Sequence, residues 1–189
     1  MEFTIPAIAS DMVTAKFFDH RPTYTPRNMH AATWNQESDA VAFTYKNVPC
    51  FCLRVPHSFI WCGYICVDIK RIQLRGIRDV FDTWEVSEAF NVHGGVTLSE
   101  DFYEFRGDFF KRACDVHPQF ESWFSKVKKG SLCVGFDCGH SFDYQPMMMQ
   151  HLHDVDAPLE GIMRGSIYRD LPYVIDETIN MAKQYLEEE

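Results

Sequence analysis

Three β-strand patterns follow one another closely between residues 40 and 67, and they constrain the fold more than any other feature of the sequence. Ala40–Tyr45, Cys50–Val55 and Phe59–Val67 are rich in β-branched and aromatic residues. Lys46-Asn47-Val48-Pro49 separates the first two and has the composition of a turn. These segments predict the first three strands of a sheet.

The second half of the chain adds a helix, a strand and a closing helix. Pro118–Lys129 places its aromatic residues on one helical face, and Ser131–Asp137 has the pattern of a buried strand. Asp170 can cap a final helix whose apolar residues trace one stripe. This order predicts an α+β domain with a mixed or mostly antiparallel sheet, helices packed on one face and a closing C-terminal helix.

The single domain is expected to cover residues 40–189. Residues 1–39 contain scattered prolines and are expected to form an irregular N-terminal arm. Asn91–Leu98 has the pattern of a strand with a Gly-Gly break. Tyr144–Gly165 holds two Pro and three consecutive Met, and it is expected to be a long loop.

The formal net charge of −9 argues against binding to a nucleic-acid duplex, because duplex binders present a basic surface to phosphates. The basic residues form two short clusters, namely Lys70, Arg71, Arg75 and Arg78, and then Lys126, Lys128 and Lys129. The first cluster is large enough to line a pocket for one phosphate-bearing ligand. It is too small to be the footprint of a duplex.

The expected location is the cytosol, within the host cell if the chain is phage-encoded. No apolar run approaches the ~20 residues needed to span a bilayer, and Met1–Asp11 lacks the composition of a targeting segment. The seven Cys are therefore expected to be reduced thiols. Binding to a membrane is not expected.

The strongest chemical signal is Gly135–Asp143, where a predicted strand ends. Asp137, Cys138, His140 and Asp143 follow one another there, and polar groups at strand ends often face a site. Asp137 and His140 are candidates for a base and its orienting partner, or for two metal ligands. The structural alternative is that the two Asp form turns and Cys138 packs as a small hydrophobe.

Two other segments carry candidate ligand-binding residues. In Val92–Thr97, Gly94 and Gly95 follow His93, and such a pair allows close approach of a ligand or forms an anion-binding nest. A β-bulge or tight bend is the structural alternative. In Tyr168–Tyr173, Asp170 is explained as a helix cap, whereas Arg169 is a candidate for binding phosphate or carboxylate.

Two alternative metal sites follow from residue type. Cys50, Cys52, Cys62 and Cys66 occur as pairs whose spacing places each pair on one face of a strand, so the pairs could converge on zinc. Their spacing differs from the usual Cys-x2-Cys knuckle, and the structural alternative is a buried core. The second group is His151, His153 and Asp156 in the predicted loop.

The segments Val92–Thr97, Val134–His140 and Tyr168–Val174 resemble an uncharacterised family of tailed-phage and prophage proteins. That family has a His-Gly-Gly-Leu-Thr box, a Trp-rich Gly-Phe-Asp-Cys-Ala-His box followed by Gly-Asp, and a Tyr-Arg-Asp box that opens a final helix. The resemblance spans roughly residues 60–186, with the N-terminal third unmatched, and implies a phage or prophage origin and an accessory role in the infected cell.

The chain departs from the family pattern at two places. Leu132 and Cys133 stand where family members usually carry Trp, and Ser141 and Phe142 stand where small residues are usual. If these positions shape a pocket, its contents differ in this protein.

The first functional hypothesis is an accessory protein that binds a small polar ligand, derived for example from a nucleotide used in host defence. Its ligand-binding residues would be His93, Gly94, Gly95, Thr97, Asp137, Cys138, His140, Asp143 and Arg169. Phosphate would be met by Arg75, Arg78, Arg164 or Arg169.

Two alternatives stay open. The first is a hydrolase in which Asp137, His140, Asp143 and His93 hold a metal or activate water on a phosphoester or amide. A separate form of it is a Cys/His hydrolase, with Cys138 beside His93 or His140. The second is a protein-interaction module that docks a host protein through an aromatic face or Met147–Met149. Association into a homo-oligomer is also open, and the sequence identifies no cofactor.

Overall fold

In the computed structural model, the described part of the chain comprises residues 9–26, 33–105, 118–156 and 165–187. The strands are β1 (Ala9–Ala15), β2 (Ala40–Tyr45), β3 (Val48–Arg54), β4 (Trp61–Asp68), β5 (Leu98–Asp101) and β6 (Ser131–Asp137). The α-helices are α1 (Ile69–Leu74), α2 (Thr83–Ser87), α3 (Pro118–Phe124), α4 (Pro146–Asp154) and α5 (Leu171–Leu186). One turn of 3₁₀-helix covers Thr33–Asn35.

The six strands form one sheet in the order β1-β2-β3-β4-β6-β5, and all the pairings are antiparallel. Lys46 and Asn47 connect β2 to β3 with φ angles of 44° and 69°, as a two-residue type I′ hairpin turn requires. The prediction of an α+β domain with a mostly antiparallel sheet is confirmed. Strands β2 and β6 begin and end at the predicted residues.

Helix α5 packs on one face of the sheet and closes the main core. Asp170 caps the helix as predicted, since its carboxylate accepts a hydrogen bond from Tyr173 N at 3.0 Å. Val174, Ile175 and Ile179 belong to the same buried cluster as residues of β2, β4 and β6. A Cβ at Gly63 of β4 would overlap Thr178 Oγ1, so this glycine allows α5 to lie close to the strand.

Helix α3 packs on the opposite face of the sheet. Its Phe120, Trp123 and Phe124 form a second buried cluster with Phe51 and Tyr64, whose rings stack at 4.7 Å between centroids. The expectation that helices pack on one face therefore holds for α1, α2 and α5 and is wrong for α3. The physical reason is that the central strands β3 and β4 are buried on both faces, so each face needs a cover.

The interpretation of residues 1–39 as an irregular arm is wrong for Ala9–Ala15. This segment forms β1 at one edge of the sheet, where Val13 pairs with Ala42 of β2. The register shifts between Ser10 and Val13, and Asp11 has a φ of 54°. The irregularity breaks the alternation of apolar and polar residues by which a strand is recognised. Residues 1–8 and 27–32 lie outside the described chain.

Two other expectations for secondary structure are wrong. Asn91–Leu98 forms turns, and β5 begins at Leu98, because Gly94 and Gly95 adopt φ angles of 67° and 87°. Tyr144–Gly165 contains α4, which starts at Pro146 in a position that suits proline. Met149 of α4 is buried with Trp34 and Tyr144, so this methionine is a core residue. Residues 157–164 are outside the described part.

A buried ionic network ties the segment before β2 to β3 and α5. Arg54 is fully buried and donates to Glu37 and to Tyr168 Oη, the latter at 2.7 Å. Glu37 also accepts from Trp61 Nε1 at 3.1 Å and from Leu171 N, the first residue of α5, at 3.0 Å. The network fixes the start of α5, which is where the candidate functional site lies.

Helix α5 has 16 residues and is the longest described helix. Within the ranges given above, no helix combines the length and the apolar character needed to cross a membrane.

Candidate functional site

Three chain segments meet beside the first turns of α5. After β6 the chain bends, and Asp143 forms a parallel bridge with Ile167, which brings it beside the residues that precede α5. The turn that carries His93 is attached to α5, because His93 N donates a hydrogen bond to Glu177 Oε1 at 2.7 Å. The three segments singled out from the sequence are therefore neighbours in the fold.

Asp143 lies at the centre of the cluster and is 1% exposed. Its Oδ2 accepts hydrogen bonds from His93 Nε2 at 2.7 Å and from His140 N at 3.1 Å. Its Oδ1 accepts from Arg169 Nε at 3.0 Å. Burial alone would raise the pKa of this carboxyl, but the hydrogen bonds from His93, Arg169 and the His140 amide outweigh burial and lower the pKa. The Asp143 carboxylate is thus held in its ionised form.

The second ring nitrogen of His93 is also engaged. Tyr173 Oη lies 3.0 Å from His93 Nδ1. In a neutral ring whose Nε2 proton is accepted by the Asp143 carboxylate, Nδ1 is the acceptor and Tyr173 is the donor. Burial raises the pKa of Tyr173, so the hydroxyl keeps the proton that it donates. Tyr173 and Asp143 together fix the orientation of the His93 ring.

His140 is the most accessible of the side chains that lie beside Asp143, since it is 36% exposed, against 13% for His93 and 23% for Arg169. Its Nδ1 is 3.4 Å from Asp143 Oδ2, and its ring meets the ring of His93 edge to face at 5.3 Å. Gly94 packs directly under this ring, and a Cβ at that position would overlap it. The glycine therefore allows this close packing, which agrees with the tight bend given as the structural alternative.

Asp137 lies at the rim of the cluster. Its Oδ1 accepts a hydrogen bond from Gly139 N at 2.8 Å, which is the Asx turn given as the structural alternative. The same oxygen is 4.0 Å from His140 Nδ1, and the side chain is 32% exposed. Asp137 therefore shapes the bend and still faces the open side of the cluster.

Three other predicted ligand-binding residues make structural contacts, and their role in ligand binding stays a prediction. Gly95 forms a turn with Val92, and the exposed Thr97 continues the pairing to β6 through a bond from its amide to Gly135 O at 2.9 Å. Cys138 is 2% exposed and belongs to the main core. Burial raises the pKa of its thiol, with the carboxylate of Asp143 adding to the effect, so Cys138 is a poor candidate for a nucleophile.

Among the arginines predicted to meet phosphate, Arg169 is the one that lies in the cluster. Arg75 instead donates to the carbonyls of Gln184 and Tyr185 at 2.7 and 2.8 Å, near the C-terminal end of α5. Arg78 pairs with Glu85 on the surface. Arg164 falls outside the described residues.

The alternative zinc site at the four Cys is wrong. Cys50 and Cys52 belong to the buried cluster on the α5 face, whereas Cys62 and Cys66 belong to the cluster on the α3 face. Cys52 pairs with Gly63 across the sheet, so its side chain points away from the side chain of Cys62. The two pairs lie on opposite faces of the sheet and cannot share an ion.

The second alternative metal group is also not assembled. His153 of α4 stacks on Tyr24 at 4.5 Å between ring centroids, and His151 is exposed on the same helix. In the described part of the chain, the one group of three or more His, Cys, Asp or Glu that could hold an ion is His93, His140 and Asp143.

Sequence reasoning missed two residues that support the site. Tyr173 and Glu177 are four residues apart on α5 and thus share one face of that helix, and both contact His93. Both lie outside the apolar stripe of this amphipathic helix, and that position was the available signal. Their partner could not be identified, because it is 80 or more residues away in the chain.

Searches of protein-family models, curated proteins and solved structures find no match to this chain. The resemblance to phage proteins therefore stays a prediction.

Proposed function

We propose that His93, His140 and Asp143 bind a divalent transition-metal ion and that the ion supports hydrolysis of a phosphoester. The observation that carries the proposal is convergence, since one ligand atom from each residue lies within 4.8 Å of the others. Ligands at ~2.0–2.2 Å from one ion are about 3–3.5 Å apart. The distances of 2.7 and 3.4 Å from Asp143 Oδ2 to His93 Nε2 and His140 Nδ1 are close to this range.

The remaining atoms of these side chains have the partners that metal ligands usually have. His93 Nδ1 faces Tyr173 Oη, and Asp143 Oδ1 is bonded to Arg169 Nε. Such outer contacts fix the orientation of the ligands and raise metal affinity. They also leave His93 Nε2 and Asp143 Oδ2 directed toward each other. Metal binding would replace the hydrogen bond between those two atoms. The neutral His93 ring would then carry its proton on Nδ1 and donate it to Tyr173 Oη.

Three protein ligands leave at least one coordination position for water. His140 supports an open position, because its side chain is 36% exposed. A bound ion lowers the pKa of its water to about 7 and so supplies a nucleophile near neutral pH. Asp137 Oδ1 lies 4.0 Å from His140 Nδ1, and Asp137 is the candidate general base.

A phosphoester is the preferred substrate class because of charge. Arg169 places a permanent positive charge beside the cluster, and guanidinium groups recognise phosphate oxygens well. Arg169 also stacks on Tyr173, with its guanidinium carbon 4.8 Å from the ring centroid, which fixes its position. A neutral amide substrate would not use this charge.

The test combines metal binding with turnover. Zn²⁺ and Mn²⁺ are titrated into the purified protein, and hydrolysis of an activated phosphodiester is followed in parallel. We expect one ion per chain, turnover that chelation abolishes, and a loss of both in His140→Ala. His151→Ala is the matched control, because His151 is exposed on α4 and away from the cluster. Equal metal binding and turnover in the two variants would refute the proposal.

A second candidate is capture of a polar, nucleotide-derived ligand without turnover, as in the accessory role that the phage resemblance implies. Phe142 and Ile167 favour it, since they flank Asp143 and are 77% and 55% exposed. They offer apolar surface beside the polar cluster, as small-molecule sites commonly do. A protein that retains a nucleotide-sized mass in native mass spectra and hydrolyses nothing would favour this candidate.

A further inference from the structure

A groove lies at the opposite end of the sheet from the His–Asp cluster. Strands β4 and β6 pair from Cys62 with Asp137, beside the cluster, to Asp68 with Ser131, at the groove. Six residues of strand separate the two ends, which is ~20 Å. The groove encloses about 610 Å³, within the range of roughly 300–1,000 Å³ that is usual for small-molecule sites.

The groove is lined by Lys70 of the first basic cluster of the sequence and by all three lysines of the second. Lys70 follows β4, and Lys126, Lys128 and Lys129 lie between α3 and β6, so all four line the same space. Gly130, with a φ of 77°, turns the chain from these lysines into β6. Four cations within one groove contrast with the net charge of −9 for the whole chain.

Acidic groups near the groove neutralise these lysines in part. Asp68 lines the groove, but its carboxylate accepts from Lys70 N at 2.8 Å and caps α1. Asp11 of β1 lies 3.3 Å from Lys126 Nζ. Positive charge remains in excess, and Lys128 and Lys129 stand at the exposed rim.

The inner wall of the groove is apolar. It includes Val48, Val67 and Tyr185, which are buried side chains of β3, β4 and α5. Tyr185 is fixed there, because its hydroxyl accepts a hydrogen bond from Asp68 N at 3.2 Å. A compact anion with several charges could pair with the lysines at the rim while its uncharged part packs against this wall.

We propose that this groove binds a small polyphosphate anion, independently of the His–Asp cluster. A singly charged anion would gain little from exposed lysines in water, whereas several linked phosphates engage several lysines at once. Two kinds of ligand carry several linked phosphates, namely a nucleoside polyphosphate and inorganic polyphosphate. The apolar wall is the feature that would distinguish them.

The experiment measures binding of inorganic triphosphate and of a fluorescent nucleoside triphosphate by calorimetry and anisotropy. It is done without added metal and in the His140→Ala background, so that the proposed metal site does not contribute. Lys128→Gln/Lys129→Gln is compared with Arg78→Gln/Lys183→Gln. The second pair removes two exposed positive charges away from the groove.

We expect the groove variant to weaken binding of triphosphate roughly tenfold and the control variant to leave it nearly unchanged. Tighter binding of the nucleoside triphosphate than of triphosphate would identify the nucleotide as the source, and equal binding would identify inorganic polyphosphate. The proposal is overturned if neither probe binds at about 1 mM, or if both double variants lose affinity equally.

Discussion

Gly94 lies so close to His140 that a Cβ on Gly94 would overlap the imidazole ring. The turn after α2 therefore sets the position of a side chain that follows β6. Gly94 also has a φ of 67°, which an L residue adopts only with strain.

Gly94→Ala is expected to displace His140 and to weaken the proposed metal binding at least tenfold, since a ligand moved by about 1 Å no longer reaches the ion. The backbone strain alone should lower the free energy of unfolding by about 1–2 kcal/mol. Metal titration and urea unfolding measure the two effects. Gly76→Ala is the matched control, because Gly76 has a φ of 86° and nothing within 4 Å of an added Cβ. Equal metal affinity in the two variants would contradict the role given to Gly94.

Asp143→Asn is expected to reduce stability by about 2–4 kcal/mol at pH 7, since it removes the buried charge that His93 and Arg169 meet. The pKa of Asp143 is lowered in the folded protein, so its contribution is present above the unfolded-state pKa and is lost as pH falls through the folded-state value. The variant should therefore show a weaker dependence of stability on pH between about 5 and 2. Urea unfolding over this range measures it.

The control for that prediction is Asp137→Asn, which changes a carboxyl that is 32% exposed at the rim. Its stability at pH 7 should fall by less than about 1 kcal/mol, because water can solvate the altered group. A stability loss as large as that of Asp143→Asn would show that the bend, and not the central carboxylate, holds the cluster together.

Tyr173→Phe is expected to weaken metal binding about tenfold while leaving the fold intact, because it removes the hydroxyl that orients His93 and keeps the ring. Competition with a chelator of known affinity measures the change. Tyr24→Phe removes a hydroxyl from a ring that stacks on His153, away from the cluster, and should leave metal affinity unchanged. If Tyr173→Phe also binds with unchanged affinity, the hydroxyl has no role in holding the ligand.

Much of the sheet could be predicted from local composition, whereas His93, His140 and Asp143 were predicted from the chemistry of their side chains. Strand β2 could be predicted because its local composition is typical of a strand. Strand β1 could not, because the bulge near Asp11 disrupts the local pattern on which such a prediction depends. His93, His140 and Asp143 could be nominated because their side chains suit metal or proton chemistry near strand ends. Their convergence required the bridge of Asp143 to Ile167, a contact between distant segments that no local pattern encodes.

The spacing of the cysteines along each strand could not decide whether the two pairs form the alternative zinc site. Spacing on each strand correctly placed Cys50 with Cys52 and Cys62 with Cys66. Whether the two pairs share a face depends on the register between β3 and β4, and a shift of one residue reverses the answer. The observed pairing of Cys52 with Gly63 puts them on opposite faces.

Arg54 is a buried charge, and its partner Glu37 holds the start of α5 through Leu171 N. Its guanidinium carbon lies 4.4 Å from the ring centroids of both Phe59 and Trp61, and it bonds Glu37. Arg54→Met should lower the free energy of unfolding by about 3–5 kcal/mol, since it removes the cation that faces Glu37 and also the buried Asp39, 3.6 Å from Arg54 Nε. Glu37→Gln in the Arg54→Met background should recover part of that loss, because it removes one of those charges. Urea unfolding of the single and double variants tests this, and purely additive losses would show that the two residues are not coupled.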